Sequence, residues 1–247
     1  MSNTVEIDRN PVREARGRTI LKAEGLGKSF ESGHSELNVL RAVDFSVGSG
    51  EIVAVLGASG AGKSTLLHIL GALDRPTTGQ VWIDGTDVFS LTDDEMAIFR
   101  NRAIGFVFQF HHLLPEFTAV ENVMMPLMIS GQNRANAGEA ARGILQDVGL
   151  SERLDHKPGE LSGGEQQRVA VARAIVSRPH VVLADEPSGN LDRGNGQALL
   201  EIIWRLSRDH GVAFVVVTHD EEIGRRADRM VRLADGQIEE IAREVGA

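Results

Sequence analysis

The sequence predicts an α/β domain built around a phosphate-binding loop, and three observations lead there. Short apolar runs at residues 51–56, 104–108, 181–184 and 213–217 have the length of buried strands. Three of them end in polar residues: Gln109, the pair Asp185 and Glu186, and His219. Carboxyl ends of strands are where an open α/β sheet receives its ligands. The first run leads directly into Gly57-Ala58-Ser59-Gly60-Ala61-Gly62-Lys63-Ser64-Thr65, which fits G-x-x-x-x-G-K-S/T, and a helical stretch at residues 64–70 follows.

That loop has a definite chemistry. Its glycines let the backbone turn back so that successive N–H groups converge on one anion. The helix N-terminus adds the positive end of its dipole. Lys63 is placed to reach the β- and γ-phosphates of a nucleotide, and Ser64 to hold Mg²⁺ through its hydroxyl.

Composition narrows the function. The 247 residues suffice for one large α/β domain or two small ones. A hydrophobic content of 42% with 25% charged residues is ordinary globular usage and argues against wholesale disorder. The formal net charge of -9 argues against a sequence-independent grip on DNA, so no nucleic-acid partner is expected. With no cysteine, disulfides and thiolate metal sites are excluded. There is no run of 18 apolar residues and no apolar leader near Met1, so a cytosolic placement is expected. Any membrane role then comes through a partner.

In chain order, residues 1–18 read as a mobile polar tail and residues 19–247 as a single unit. Short strands are expected at 19–23, 38–40 and 43–47, with Gly25, Gly27, Gly33 and Gly48 as punctuation. Phe30 has two readings, a core residue or a platform on which a base stacks. An alternating strand follows at 80–85, and Thr92 with Glu95 forms a capping box for a helix to Arg100. Gln109, at a strand end, is a candidate to hold Mg²⁺ or water. Residues 110–160 read as a helical insertion. Thr118 and Glu121 cap a Met-rich helix at 122–129, Gly131 stops it, and a second helix runs over 135–148. The apolar run Phe110-His111-His112-Leu113-Leu114-Pro115-Glu116-Phe117 is either the core of that insertion or a docking patch, with Met124, Met125 and Met128 as adaptable contacts. His111 and His112 make a poor metal site, because adjacent side chains diverge.

Ser162-Gly163-Gly164-Glu165 opens a helix to Ser177, with Ser162 and Glu165 as a capping box. It is either an ordinary capped helix or a second anion-binding N-terminus. The run at 181–184 ends in two carboxylates. Asp185 suits Mg²⁺, and Glu186 suits orienting and polarising a water molecule. His219 at the next strand end is placed for a γ-phosphate. Met230 to Leu233, Gly236 and Ile238 suggest a closing hairpin.

Taken together and in this order, these motifs resemble the ATP-binding cassette (ABC) ATPases, over about residues 20–241. The resemblance implies a P-loop NTPase fold, with a RecA-like core on a mainly parallel sheet, an antiparallel β-subdomain and an inserted α-helical subdomain. It implies ATP hydrolysis with Lys63, Glu186 and His219 as catalytic groups, adenine on Phe30, and Mg²⁺ on Ser64, Gln109 and Asp185. It also implies a head-to-tail homodimer, each ATP lying between one chain's phosphate loop and Ser162-Gly163-Gly164 of the other. Within the family, residues 106–119 and the loop Ser188-Gly189-Asn190-Leu191-Asp192 are most similar to ATPase subunits of lipoprotein-releasing systems. The macrolide-exporter and cell-division ATPases are similar too. That resemblance implies a peripheral subunit on the cytoplasmic face of a bacterial inner membrane. It would dock integral membrane permease subunits near Phe110 to Phe117, with lipoprotein as indirect cargo. Two departures are small: Phe30 stands where the wider family often has tyrosine, and Glu165 replaces a commoner glutamine.

Two rivals belong to other classes. A soluble, non-transport ATPase acting on DNA or ribosomes is disfavoured by the net acidity and the lack of a long coiled-coil insertion. A clamp that binds ATP without hydrolysing it is disfavoured by Glu186 beside Asp185.

Overall fold

The computed structural model describes residues 18–32 and 35–241. The tail expected at residues 1–18 lies outside them except for Arg18, which pairs with Asp84. Two sheets carry the chain. In the first, β1 (Thr19–Ser32), β2 (Ser35–Gly48), β4 (Thr78–Ile83) and β5 (Thr86–Asp87) are antiparallel in the order β2-β1-β4-β5. The second contains β3 (Ile52–Leu56), β6 (Ile104–Val107), β7 (Val181–Asp185), β8 (Ala213–Thr218), β9 (Arg229–Ala234) and β10 (Gln237–Glu240). Its order is β10-β9-β3-β8-β7-β6, parallel throughout except for β10. The mainly parallel sheet, the antiparallel sheet and the helical insertion match the fold the motifs imply.

The parallel strands read as unbroken apolar runs because both of their faces are covered. Ile52 and Ala54 of β3 enter one core with Val182, Ala184, Phe214 and Val216. Val53 and Val55 enter the other with Val181, Leu183, Val215 and Val217. Helices α1 (Lys63–Leu70) and α2 (Asp93–Ala103) lie on the second face, the one shared with the antiparallel sheet. Helices α5 (Gly163–Ile175) and α6 (Arg193–His210) lie on the first, together with α3 (Ala119–Ile129) and α4 (Arg134–Asp147). A short α7 (Glu221–Arg226) follows β8.

The expectation for the N-terminal strands needs correction. Residues 19–48 form two 14-residue strands, not three short ones. Gly25 and Gly27 fall at shifts of register between β1 and β2. A Cβ on Gly27 would stand 2.4 Å from Thr78 Oγ1. These glycines mark bulges and close approach, not strand ends.

The insertion lies between β6 and α5. The capping boxes expected at Thr92, Thr118 and Ser162 are all formed. Met124 is buried in the core, so it is no surface contact, whereas Met128 and Ile129 are exposed. Ahead of α3, Phe110 is 69% exposed and Leu114 and Phe117 are exposed, while Leu113 packs on the core. Asn122 fixes this irregular segment from beneath. Fully buried, it accepts from Leu114 N at 2.8 Å and donates to the carbonyls of Leu114, Phe117 and Thr118. The apolar side chains therefore stand exposed on a backbone that has its hydrogen bonds made below.

The cap of α5 carries a charge. Glu165 accepts from the Ser162 backbone N–H at 2.9 Å and the Ser162 hydroxyl at 2.8 Å, and pairs with Arg153 at 2.9 Å. The Ser162 donors first, then Arg153, hold its carboxyl down at about 2 against an ordinary 4.5. A carboxylate whose folded value is depressed contributes stability above its unfolded value, and that contribution is lost as pH falls through the folded one. Stability relative to Glu165→Gln should therefore be constant above pH 4.5 and decline as pH falls from 4.5 towards 2. Denaturant melts at stepped pH measure this, and a gap that widens on acidification contradicts it.

Candidate active site

The phosphate loop sits between β3 and α1. Gly62 is the N-cap of α1 with φ +97, a conformation glycine adopts without cost. A Cβ there would also stand 2.9 Å from Val39 Cγ1. No side chain caps this helix and its first turn holds no acidic residue. Its free N–H groups and dipole therefore suit an anion from outside the chain.

Lys63 is only 9% exposed, and its ammonium donates to the carbonyls of Gly57 at 2.8 Å and Ala58 at 3.0 Å. Among the described residues no carboxylate pairs with it. Beside it, Ser64 Oγ donates to Asp185 Oδ2 at 2.8 Å. These two groups come from α1 and the end of β7, which lie face to face.

Glu186 follows β7 with φ +43, a left-handed conformation that costs a non-glycine residue about 1–3 kcal/mol. The surroundings hold it there. Its side chain accepts from Thr218 Oγ1 at 2.9 Å, from the His219 backbone N–H at 3.1 Å and from His219 Nδ1 at 2.8 Å. A carboxylate only accepts, so the His219 ring carries its proton on Nδ1. Thr218 in turn accepts from Asp220 N, which fixes its hydroxyl toward Glu186.

These parts surround one open cleft of about 730 Å³, lined by Ser59, Gly60, Gly62, Lys63, Ser64 and Thr65 of the phosphate loop together with Gln109, Asp185, Glu186 and His219. Gly57 and Ala58 border an adjoining cleft that also reaches His219. The structure thus gathers most of the candidate residues, from four separate segments, at the carboxyl ends of β3, β6, β7 and β8. Ser162, Gly163, Gly164 and Glu165 line neither cleft. Phe30 also lies outside them. It is 42% exposed on β1, opposite Leu37, with Lys28 Nζ 4.9 Å from its ring centre. Its core reading is overturned: Phe30 is a surface ring.

The oxygen donors gathered here are a hydroxyl, a carboxylate and an amide, from Ser64, Asp185 and Gln109. Hard oxygen ligands in small number suit Mg²⁺, which keeps several waters and takes phosphate oxygens. Among the described residues there is no group of three or more His, Asp or Glu side chains, the kind of cage that would favour another metal.

Three residues of this neighbourhood escape sequence reasoning. Thr218 grips Glu186, and Asn190 bonds Gln109 at both side chain and backbone. Gln167, fully buried on α5, bonds the Phe108 carbonyl and the His111 ring. Only Asn190 had a signal, as part of the loop Ser188 to Asp192.

Comparison with known proteins agrees with this geometry. The ABC transporter family model matches residues 40–189. The lipoprotein-releasing system ATP-binding protein LolD of Geobacter metallireducens is 55% identical over 220 residues, 89% of this chain and 98% of that protein. Its namesake in Bordetella pertussis is 52% identical over 89% of this chain and 95% of its own. Among solved structures, the dimeric ATP-binding cassette MJ0796, in a post-hydrolysis state bound to ADP and Pi, superposes with a TM-score of 0.83 at 38% identity. The match covers 92% of this chain and all of that one. This chain therefore belongs to the ABC transporter family, as one of its ATP-hydrolysing cassettes.

Proposed function

We propose that this protein is the ATPase subunit of a membrane complex that releases lipoproteins from the inner membrane toward the outer membrane. The observation that carries the chemistry is Glu186, held by three donors in a strained backbone next to the Ser64–Asp185 pair. The names of the relatives carry the lipoprotein assignment, together with the exposed apolar segment from Phe110 to Phe117.

Positioning and charge neutralisation do most of the work in phosphoryl transfer. Lys63 exchanges its two carbonyl partners for β- and γ-phosphate oxygens, while the N–H groups of residues 60–65 cradle the same phosphates. Glu186 orients a water toward the γ-phosphorus and takes up its proton as the new P–O bond forms. The bond from γ-phosphorus to the bridging oxygen breaks, leaving ADP and phosphate. His219 keeps Glu186 aligned and borders the γ-phosphate. Ser64, Asp185 and Gln109 would hold Mg²⁺, which supplies charge neutralisation at the phosphate oxygens when bound. Phe30 offers a ring face to adenine.

Ser162, Gly163 and Gly164 line neither of their own chain's clefts, which supports a head-to-tail homodimer with these residues over the partner's ATP. No helix among the described residues is long and apolar enough to cross a membrane. A permease would supply the span, seated on Phe110, Leu114 and Phe117, with the ATPase peripheral on the cytoplasmic face of a bacterial inner membrane.

Two outcomes test this. Glu186→Gln should retain ATP binding and cut turnover by at least 100-fold, on the order expected when a positioned base is lost. Single-turnover hydrolysis reads this, and turnover near the original rate removes Glu186 from the water-orienting role. Leu114→Glu should leave the fold within about 0.5 kcal/mol of wild type, as exposed substitutions do. Co-purification with the permease should nevertheless be lost, and with it lipoprotein release. A large fall in Tm alongside lost release would contradict docking through this segment.

A further inference from the structure

Gln109 is not free in its cleft. Its Nε2 donates to Asn190 Oδ1 at 3.1 Å, and Asn190 Nδ2 donates back to the Gln109 backbone carbonyl at 3.0 Å. The two residues are 81 positions apart and belong to different loops. Gly189 lets them approach, since a Cβ there would stand 3.3 Å from Gln109 Nε2.

The chemistry of this pair sets a direction. A backbone carbonyl only accepts, so the nitrogen of Asn190 must face it. That leaves the oxygen of Asn190 toward the Gln109 side chain, which must answer with its own nitrogen. The oxygen of Gln109 is then the atom left over for the cleft, where Ser64 and Asp185 also present oxygen. A hard divalent cation takes amide oxygen and is repelled by an amide N–H₂.

We infer that Asn190 is a positioning residue for Gln109 that fixes which amide atom is offered to the cation site. The inference rests on the metal role proposed above for Gln109. It gives the loop Ser188 to Asp192 a task within its own chain: setting the orientation of a ligand that would otherwise turn freely about its last bond. Outer partners of metal ligands are worth about 10–100-fold in affinity.

The test uses the full chain with Glu186→Gln, ATP, and Mn²⁺ as the cation probe, titrated by electron paramagnetic resonance with the nucleotide-only signal subtracted. Gln109→Ala, Asn190→Ala, Asn190→Asp and the double variant Gln109→Ala with Asn190→Ala are compared. Asn190→Ala should raise the Mn²⁺ concentration for half-saturation about tenfold, as Gln109→Ala does. Asn190→Asp should fail likewise despite its equal size, since it cannot donate to the Gln109 carbonyl. Metal-free ATP affinity should stay at the parent value in the two Asn190 single variants. The double variant should be no weaker than Gln109→Ala alone, because Asn190 acts through Gln109. Mn²⁺ binding unchanged by Asn190→Ala, or losses that multiply in the double variant, would overturn the inference. If Gln109→Ala itself leaves Mn²⁺ binding unchanged, it is the metal role of Gln109 that fails, and the inference falls with it.

Discussion

Lys63 is a buried cation whose partners are two carbonyls of its own loop, and the rest of the site follows from that. A charge in such a place is tolerated only when its donors are satisfied. The carbonyls of Gly57 and Ala58 satisfy two of them in part. Phosphate oxygens would satisfy them better, because they carry a full negative charge opposite the ammonium where a carbonyl offers only a dipole. The uncapped start of α1 adds a second unmet demand for negative charge in the same place. The parallel sheet holds both in position. β3 delivers the loop, while β7 and β8 bring Asp185, Glu186 and His219 opposite it, with both faces of the sheet closed by core.

One helix connects this chemistry to the outer surface. α5 begins at the capped Ser162, which does not line its own chain's cleft. Further along, Gln167 holds the Phe108 carbonyl and the His111 ring. Arg173 donates to the carbonyls of His111 and His112 at 2.8 and 2.7 Å, and burial pushes its guanidinium below the usual value. The exposed Phe110 lies in the segment these two side chains fasten. α5 thus ties its capped N-terminus and the exposed apolar segment to one continuous helix.

Sequence reading succeeds here where the physics is local. A capping box spans four residues, so Thr92, Thr118 and Ser162 were legible from their spacing. Strands buried on both faces announce themselves as apolar runs. Reading fails where a partner is distant or a rule has two meanings. Gly25 and Gly27 looked like strand ends because a glycine signals both a turn and a bulge. Met124 carries two readings, core or adaptable contact, because helical periodicity in a Met-rich stretch leaves the buried face ambiguous; its burial decides for the core. Asn122, Gln167 and Asn190 draw their meaning from backbone atoms that only the fold brings near. Phe30 lies beyond Gly27, where β1 pairs with β2 alone, and reading β1 as a short strand conceals this.

In the proposed homodimer each nucleotide site is shared between two chains, with Lys63 from one and Gly163 from the other. Mixing two defective chains tests it most directly. Lys63→Ala and Gly163→Asp, both with Glu186→Gln to block turnover, each lack one half of every site when alone. A mixed dimer contains one site built wholly from intact halves. ATP retained after gel filtration should be near zero for either chain alone and about one molecule per mixed dimer, the value a shared site requires. If the mixture retains no more ATP than its two parents, the site is not shared and the account is wrong.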